Sequence, residues 1–372
     1  MRSTLSRSTA TLSGRLHQRL LGIAERAAQE IAARHRDVLA IYLAGSIARG
    51  AATGSSDLDL CAIVEEPASS SRQPPIVISG RPVFYRLHPL RLYSDIEGLL
   101  TGSVVLSSQI VDAKALYDPK GVFAKIQRAV LRRYDDPFYL KARISLSLEA
   151  ARRHLLLARL RVRQGRAYEV PSHLAQLVVY GLAPAIFFLA DEPPTERRCL
   201  AALKPACEML GADSIYDELV NLLGLDEASN GWAEQAINGV GELAETAGQA
   251  LRNHNQRLYD LNADWLSTAM ARYFIEGAKE LLADGKREAS IYCSMVIASR
   301  ILDIIREAGD SLPPEVLVNA EQLGSRVFRN EAVDQRTITT RLRQAEVVVE
   351  ETRRLATVQL QRTTPMKRER RA

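Results

Sequence analysis

A chain of 372 residues exceeds one ordinary domain, and about 150 residues per domain gives two or three. Apolar residues at 47% and charged residues at 25% exclude wholesale disorder and fibrous classes. The 49 basic and 44 acidic side chains leave +5, an excess that suits anionic ligands without requiring nucleic acid. The longest apolar stretch, Leu177 to Ala190, is interrupted by Gly181 and Pro184 and is shorter than the roughly 20 residues that cross a bilayer, so no transmembrane helix is expected. Cys61, Cys199, Cys207 and Cys293 form no CxxC pair and lie near no histidine at ligand spacing, which fits neither a zinc site nor a disulfide framework. A reducing cytoplasm is the expected compartment, and the arginine-rich, alanine- and leucine-rich composition points to a bacterial source.

Leu16, Leu20, Ile23, Ala27 and Ile31 mark one face of an amphipathic helix expected from near Gly14 to near His35. Val38 to Ala44 is β-rich, and after a Gly/Ser/Thr loop Asp57 to Val64 is predicted as a second strand. Ile76 to Ile78 and Val83 to Leu87 flank Ser79 and Gly80 as a hairpin. From Phe138 onward long segments of helical period follow, broken at Pro171, Pro193 and Pro194, Gly285, and Pro313 and Pro314. The sequence thus predicts an α/β N-terminal domain with a small mixed sheet over residues 1–135 and an all-α domain over 136–372, in two possible subdomains at about 138–225 and 230–362. Helix, glycine, helix hairpins are expected around Gly165 and Gly285. The last helix is expected from Glu331 to about Leu360, with Ile338, Leu342, Ala345, Val349 and Leu355 on one side, and the basic tail from Met366 is expected to be frayed.

The chemistry concentrates between residues 42 and 60. In a strand, side chains at i and i+2 share a face, so Asp57 and Asp59 present two carboxylates together while Leu58 and Leu60 enter the core. Two parallel carboxylates repel unless a cation joins them, and Mg²⁺ takes one or two carboxylates together with substrate phosphates. Upstream, Gly45 lets backbone N–H groups approach an anion, Ser46 offers a hydroxyl, and Arg49 is a candidate for added positive charge. Ala51 and Ala52 after Gly50 stand where a P-loop requires Lys and Ser/Thr, so this is not a P-loop.

This order of Gly45-Ser46, a short loop and Asp57-x-Asp59 between two strands resembles the nucleotidyltransferase superfamily that includes DNA polymerase beta, the minimal nucleotidyltransferases and the kanamycin-type antibiotic nucleotidyltransferases. Ala115 to Gly121 is similar to the leucine-tyrosine-aspartate turn of small-molecule members, and a helical domain after the catalytic one also matches that group. The resemblance implies Mg-dependent transfer of a nucleoside monophosphate from an NTP, ATP being the expected donor, to a hydroxyl of a small acceptor, with release of pyrophosphate. It implies that Gly45 and Ser46 hold the triphosphate and that Asp57 and Asp59 bind one or two Mg²⁺. Many members carry a third carboxylate on a later strand, whereas Val83 to His88 has none. If that stretch is a strand, Phe84, Arg86 and His88 share a face, and His88 becomes a candidate general base, with Asp95, Glu97 and Glu149 as other candidates.

The plainer readings are that Asp57 and Asp59 are capping acids after Ser55 and Ser56, that His88 is a strand-end residue before Pro89, and that the arginines at 152, 153, 159, 161 and 163 form a solvated helix face rather than a phosphate-binding rim. Two other functions remain open at this point: nucleotidylation of a macromolecule, tRNA or protein, for which no RNP or KH signature speaks, and a degenerate protein that binds nucleotide or a partner without turnover. No membrane partner is expected.

Overall fold

The computed structural model of the chain describes residues 3–66, 71–266, 268–329 and 334–369. The chain divides into two compact units, Met1–Tyr139 and Leu140–Ala372. In the first, helix α1 (Ser3–Arg34) is followed by β1 (Val38–Ala44), the single turn α2 (Gly45–Ala48), β2 (Asp59–Val64), β3 (Ser71–Ile78) and β4 (Arg81–Pro89). Helices α3 (Ile96–Gly102) and α4 (Val104–Asp112), strand β5 (Lys114–Tyr117) and helix α5 (Val122–Tyr134) complete it. The predicted α1 stripe is present, but the helix starts at Ser3 rather than near Gly14, because no proline interrupts the polar turns before it.

The five strands form a mixed sheet in the order β3-β4-β2-β1-β5, in which β2 and β4 run parallel and the other neighbours antiparallel. Ser79 and Gly80, with φ of 53° and 76°, form the two-residue turn of the predicted β3-β4 hairpin, where positive φ at both positions matches the strand twist. One sheet face, with Ile41, Leu43, Leu60 and Tyr85, packs with Leu20, Ile23, Ala27 and Ile31 of α1. The other, with Tyr42, Ala44, Cys61 and Ile63, packs with Leu100, Ile110, Phe123 and Val130 of α3 to α5. Helices on both faces bury every central strand on two sides, which explains why β1 and β2 read as continuous apolar runs. Asp118 ends β5 by accepting the backbone N–H groups of Phe123 at 3.3 Å and Ala124 at 2.9 Å, which fixes the start of α5.

The second unit is helical. It comprises α6 (Pro137–Arg163, entering from the first unit), α7 (Val170–Leu177), α8 (Ala183–Leu189), α9 (Cys199–Leu210), α10 (Asp213–Leu222) and α11 (Asn230–His254). After these come α12 (Gln256–Leu261), α13 (Ala263–Leu266), α14 (Thr268–Ala283), α15 (Arg287–Ala308), α16 (Pro314–Phe328) and α17 (Gln335–Glu369). The last helix therefore runs past Leu360 into the basic tail; Glu331 to Val333, where it was expected to begin, and residues 370–372 lie outside the described residues. Both predicted hairpins form. Gly165 and Gly285 have φ of 73° and 75°, and the residue after each donates to a carbonyl five residues back, Arg166 to Arg161 at 2.8 Å and Lys286 to Leu281 at 2.9 Å, so the two helices end in the same left-handed cap. The hairpins pack together, with Tyr292 Oη donating to the Ala175 carbonyl at 2.9 Å.

The stretch expected to be broken at Gly181 and Pro184 is a helical run instead. A π turn over Val178–Leu182 joins α7 to α8, and its wider spacing accommodates the N–H that Pro184 lacks. The run Ala167–Leu189 is consequently long and apolar enough to cross a membrane by length and composition, and 89% of its apolar window is buried inside the protein. Gly181 lies against α6, where an added Cβ would stand 2.7 Å from Ala151 Cα and N. We expect Gly181→Ala to destabilise the helical unit by about 1–3 kcal/mol through overpacking. Chemical denaturation followed by circular dichroism checks this, with an unshifted midpoint as the contrary result.

Candidate functional site

Strand β1 ends at Ala44, paired with Asp59, the first residue of β2. Asp57 therefore lies in the incoming loop and not in the strand as expected, because β1 offers no ladder partner beyond Ala44. The alternation still holds: Leu58 and Leu60 are buried at 5% and 2% exposure, while Asp57 and Asp59 are half-buried. Asp59 projects to the face that carries Cys61 and Ile63.

Gly45 follows the last residue of β1 and opens the connection to β2 at φ 75°, in the left-handed region that side chains disfavour. Space makes the requirement stricter. A Cβ built on Gly45 would collide with the Asp59 carboxylate, whose Cγ would be 3.2 Å away, so the carboxylate occupies the volume a side chain would need. The backbone of the turn is tied back on itself, Arg49 N donating to Gly45 O at 3.3 Å and Ala51 N to Ser46 O at 2.9 Å.

Ser46 Oγ donates to Ser56 Oγ at 3.0 Å, and Ser56 Oγ also accepts from Thr53 N at 2.8 Å. Arg81, at the start of β4, donates to the Ser56 carbonyl. The loop between the strands is thus anchored to the glycine turn at one end and to the hairpin at the other. Arg49 is paired with Asp112 at the end of α4 at 3.8 Å, both side chains about a third exposed or less, so part of its charge is neutralised within the unit. Among the described residues no group of three or more His, Cys, Asp or Glu side chains clusters at metal-ligand spacing.

His88 lies elsewhere. It pairs with Ile63 in the parallel β2-β4 ladder, four residues along β2 from Asp59, which is about 13 Å at the usual strand rise. It is 6% exposed, and its Nδ1 lies 2.6 Å from Tyr93 Oη, which in turn lies 3.0 Å from Tyr42 Oη. Burial, with a smaller contribution from Arg86, lowers its pKa to about 4, and burial pushes the Tyr42 and Tyr93 hydroxyls up. So weak a base, enclosed and four residues away, is not brought together with Asp57 and Asp59. In β4 the register places Tyr85 beside Leu60 and Arg86 beside Cys61, so Phe84 is the neighbour of Asp59 and an arginine follows it on the same face. Asp95 caps α3 by accepting from Gly98 N at 2.9 Å, and Glu149 is on α6 in the other unit.

The Asp112 partner and the Tyr42 to Tyr93 contact had no signal in the sequence, since each partner is distant along the chain, and the nearer Ser46 to Ser56 and His88 to Tyr93 contacts arise in irregular turns that no periodicity marks. The Gly45 to Asp59 approach had only the bare order of the two residues.

Two outcomes follow. Gly45→Ala should displace the Asp59 carboxylate and destabilise the N-terminal unit by about 1–3 kcal/mol, while Gly50→Ala, also at positive φ but with open space around it, should cost less. Chemical denaturation of the two variants checks this; equal losses would count against the close approach as a requirement. The His88 ring, whose folded pKa is depressed, takes up its proton in the unfolded chain first. Its contribution to stability is therefore full above the free imidazole pKa near ~6.5 and declines as pH falls from there toward 4. Denaturation at pH 7 and pH 5 should show that loss, and His88→Gln should reduce the difference between the two.

Residues 24–106 match the family model described as the nucleotidyltransferase domain, a span that holds Gly45, Ser46, Arg49, Asp57, Asp59 and His88. A crystal structure of a nucleotidyltransferase-like protein from Exiguobacterium sibiricum is similar to this chain at 13% identity, over 80% of this chain and 89% of that one, with a TM-score of 0.34. The comparison with curated proteins finds no match. Residues 24–106 thus match a nucleotidyltransferase domain, and the span carries strands of the mixed sheet and the glycine turn that leads to the aspartates.

Proposed function

We propose that the chain is a Mg-dependent nucleotidyltransferase that moves a nucleoside monophosphate from an NTP, ATP in the first instance, to a hydroxyl of a small acceptor. The observation that carries this reading is the Asp59 carboxylate seated against Gly45, which sets an acidic group and an approachable backbone side by side at the end of two paired strands. The donor set fits a hard divalent cation, because two carboxylates flanking Leu58 offer oxygen ligands and the triphosphate supplies the rest. Asp57 and Asp59 would hold one or two Mg²⁺, which when bound neutralise the triphosphate and polarise the attacking hydroxyl.

The chain's own part is positioning. The Gly45 turn admits the triphosphate close to main-chain N–H groups, and the Ser46 hydroxyl would join them by turning its proton from Ser56 to a phosphate oxygen. Arg49 adds charge from the far end of the turn to the extent that Asp112 releases it. The acceptor oxygen then forms its bond to the α-phosphorus as the bond to the pyrophosphate oxygen breaks, and the hydroxyl proton is released to solvent. In this reading His88 stands outside the reacting set and supports β4 through Tyr93.

A second reading has one specific observation in its favour. Phe84 and Arg86 stand beside Asp59 and Cys61 where relatives carry a further carboxylate, which would suit a protein that binds nucleotide without turning it over. Asp59→Asn separates the two. For an enzyme, transfer of label from [α-³²P]ATP to a small-molecule fraction should fall by more than about 10²-fold in Asp59→Asn with the fold retained. Absence of transfer in the unaltered chain, with Mg-ATP still bound, would favour the second reading.

A further inference from the structure

The positive charge of the chain is segregated onto two neighbouring helices. Helix α6 carries seven basic residues against one acid, Glu149, and residues 335–372, which hold α17, carry ten against four. Each stretch is therefore net +6 in a chain of net +5, so all other residues together are net −7. The two helices meet at the ion pair of Arg159 with Glu346. On α17 the exposed arginines are partly offset, Glu350 accepting from Nε and Nη2 of Arg353 and lying beside Arg354. Lys141, Arg152, Arg153 and Arg163 of α6 are exposed and make no ion pair among the described residues.

Their arrangement is regular. At about 100° per residue, Arg152, Arg153, Leu156, Arg159, Leu160 and Arg163 fall within about a third of the helix circumference. Leu156 and Leu160 form a ridge one turn apart, with Arg153 on one side of it and Arg152, Arg159 and Arg163 on the other. Both leucines face solvent, at 63% and 44% exposure. Val347 of α17, next to the Glu346 that Arg159 engages, is 50% exposed.

A face that merely meets water intersperses charges of both signs and has no use for two leucines in register. The helix macrodipole accounts for arginines in the last turn, such as Arg161 and Arg163, but its effect is confined to that turn and does not extend to Arg152 or Arg153. A phosphate polyanion would engage the guanidinium groups and leave the leucine ridge in water. A purely apolar partner would strip water from the guanidinium groups without pairing them. A helix with an apolar stripe bordered by carboxylates matches both features, since its stripe covers the ridge and its acids meet arginines on either side.

We propose that the exposed face of α6 from Arg152 to Arg163 docks an acidic amphipathic helix of a partner protein. Apolar side chains of that helix cover Leu156 and Leu160, and its carboxylates pair with Arg153 on one border and with Arg152 and Arg163 on the other. The surface belongs to the helical unit, shares no residue with the glycine turn and stands independently of the nucleotidyltransferase reading.

Fluorescence anisotropy of labelled probes with the full chain tests this. The first probe is a synthetic peptide of about 20 residues, long enough to be helical, with leucine at every third or fourth position and glutamate on both borders of that stripe. A second peptide has the same composition in shuffled order, and single-stranded oligouridylate is the third probe. Saturable binding of the amphipathic peptide is expected, at least about tenfold tighter than that of the shuffled one. Leu156→Asn and Arg153→Glu should each weaken it by at least about fivefold, and with both positions exposed the circular dichroism should be unchanged. No saturable binding, equal affinity for the shuffled peptide, or binding indifferent to Leu156→Asn overturns the proposal. Oligouridylate bound more tightly than the amphipathic peptide also overturns it and marks a phosphate-binding face instead. Should a variant fail to fold, the two peptides on the unaltered chain decide: a preference of about tenfold supports the surface, and equal affinities overturn it.

Discussion

The N-terminal unit depends on a missing side chain. Because Gly45 has no Cβ, the Asp59 carboxylate can rest where one would stand, and β1 can turn at positive φ immediately after its last pair with β2. Everything at this end of the sheet follows from that approach: the turn α2 starts at once, Ser46 reaches Ser56, and the intervening loop is drawn over the strand ends. A carboxylate held by strand pairing is far better fixed than one on a free loop, and the metal site we propose for it would need that rigidity.

The layers on either side of the sheet maintain this geometry. Helix α1 covers one face and α3 to α5 the other, so β1 and β2 are locked in register by packing on both sides. A slip of one residue would send Asp59 to the α1 face and Leu58 to the face covered by α3 to α5, which the close packing of the two apolar layers forbids. The Tyr42, Tyr93, His88 chain belongs to this support. Tyr42 stacks on Phe123 of α5 at a centroid distance of 4.5 Å while its hydroxyl reaches Tyr93, so one side chain fills the core and satisfies its own polar end.

What was legible in the sequence was whatever local pattern determines. The α1 stripe, the hairpin at Ser79 and Gly80 and the mixed sheet before a helical region were all readable, because period and turn chemistry are properties of neighbours in the chain. The start of β2 was misplaced by two residues because strand length is set by the partner strand, and nothing at Asp57 reveals where β1 stops. The apolar run at Gly181 and Pro184 looked interrupted because breakers are read singly, whereas a π turn lets the helix pass both. His88 looked accessible because alternation says which face a residue takes but not what covers that face; Tyr93 covers it, from a 3₁₀ turn after β4.

The central claim is that Asp57 and Asp59 hold a divalent cation together with a triphosphate beside Gly45. Mn²⁺ electron paramagnetic resonance, with a non-transferable NTP analogue present and absent, tests it most directly. The account predicts that the analogue creates a tightly bound Mn²⁺ population on the protein, and that this population disappears in Asp57→Asn and in Asp59→Asn. Mn²⁺ bound to the same extent in either variant as in the unaltered chain would contradict it.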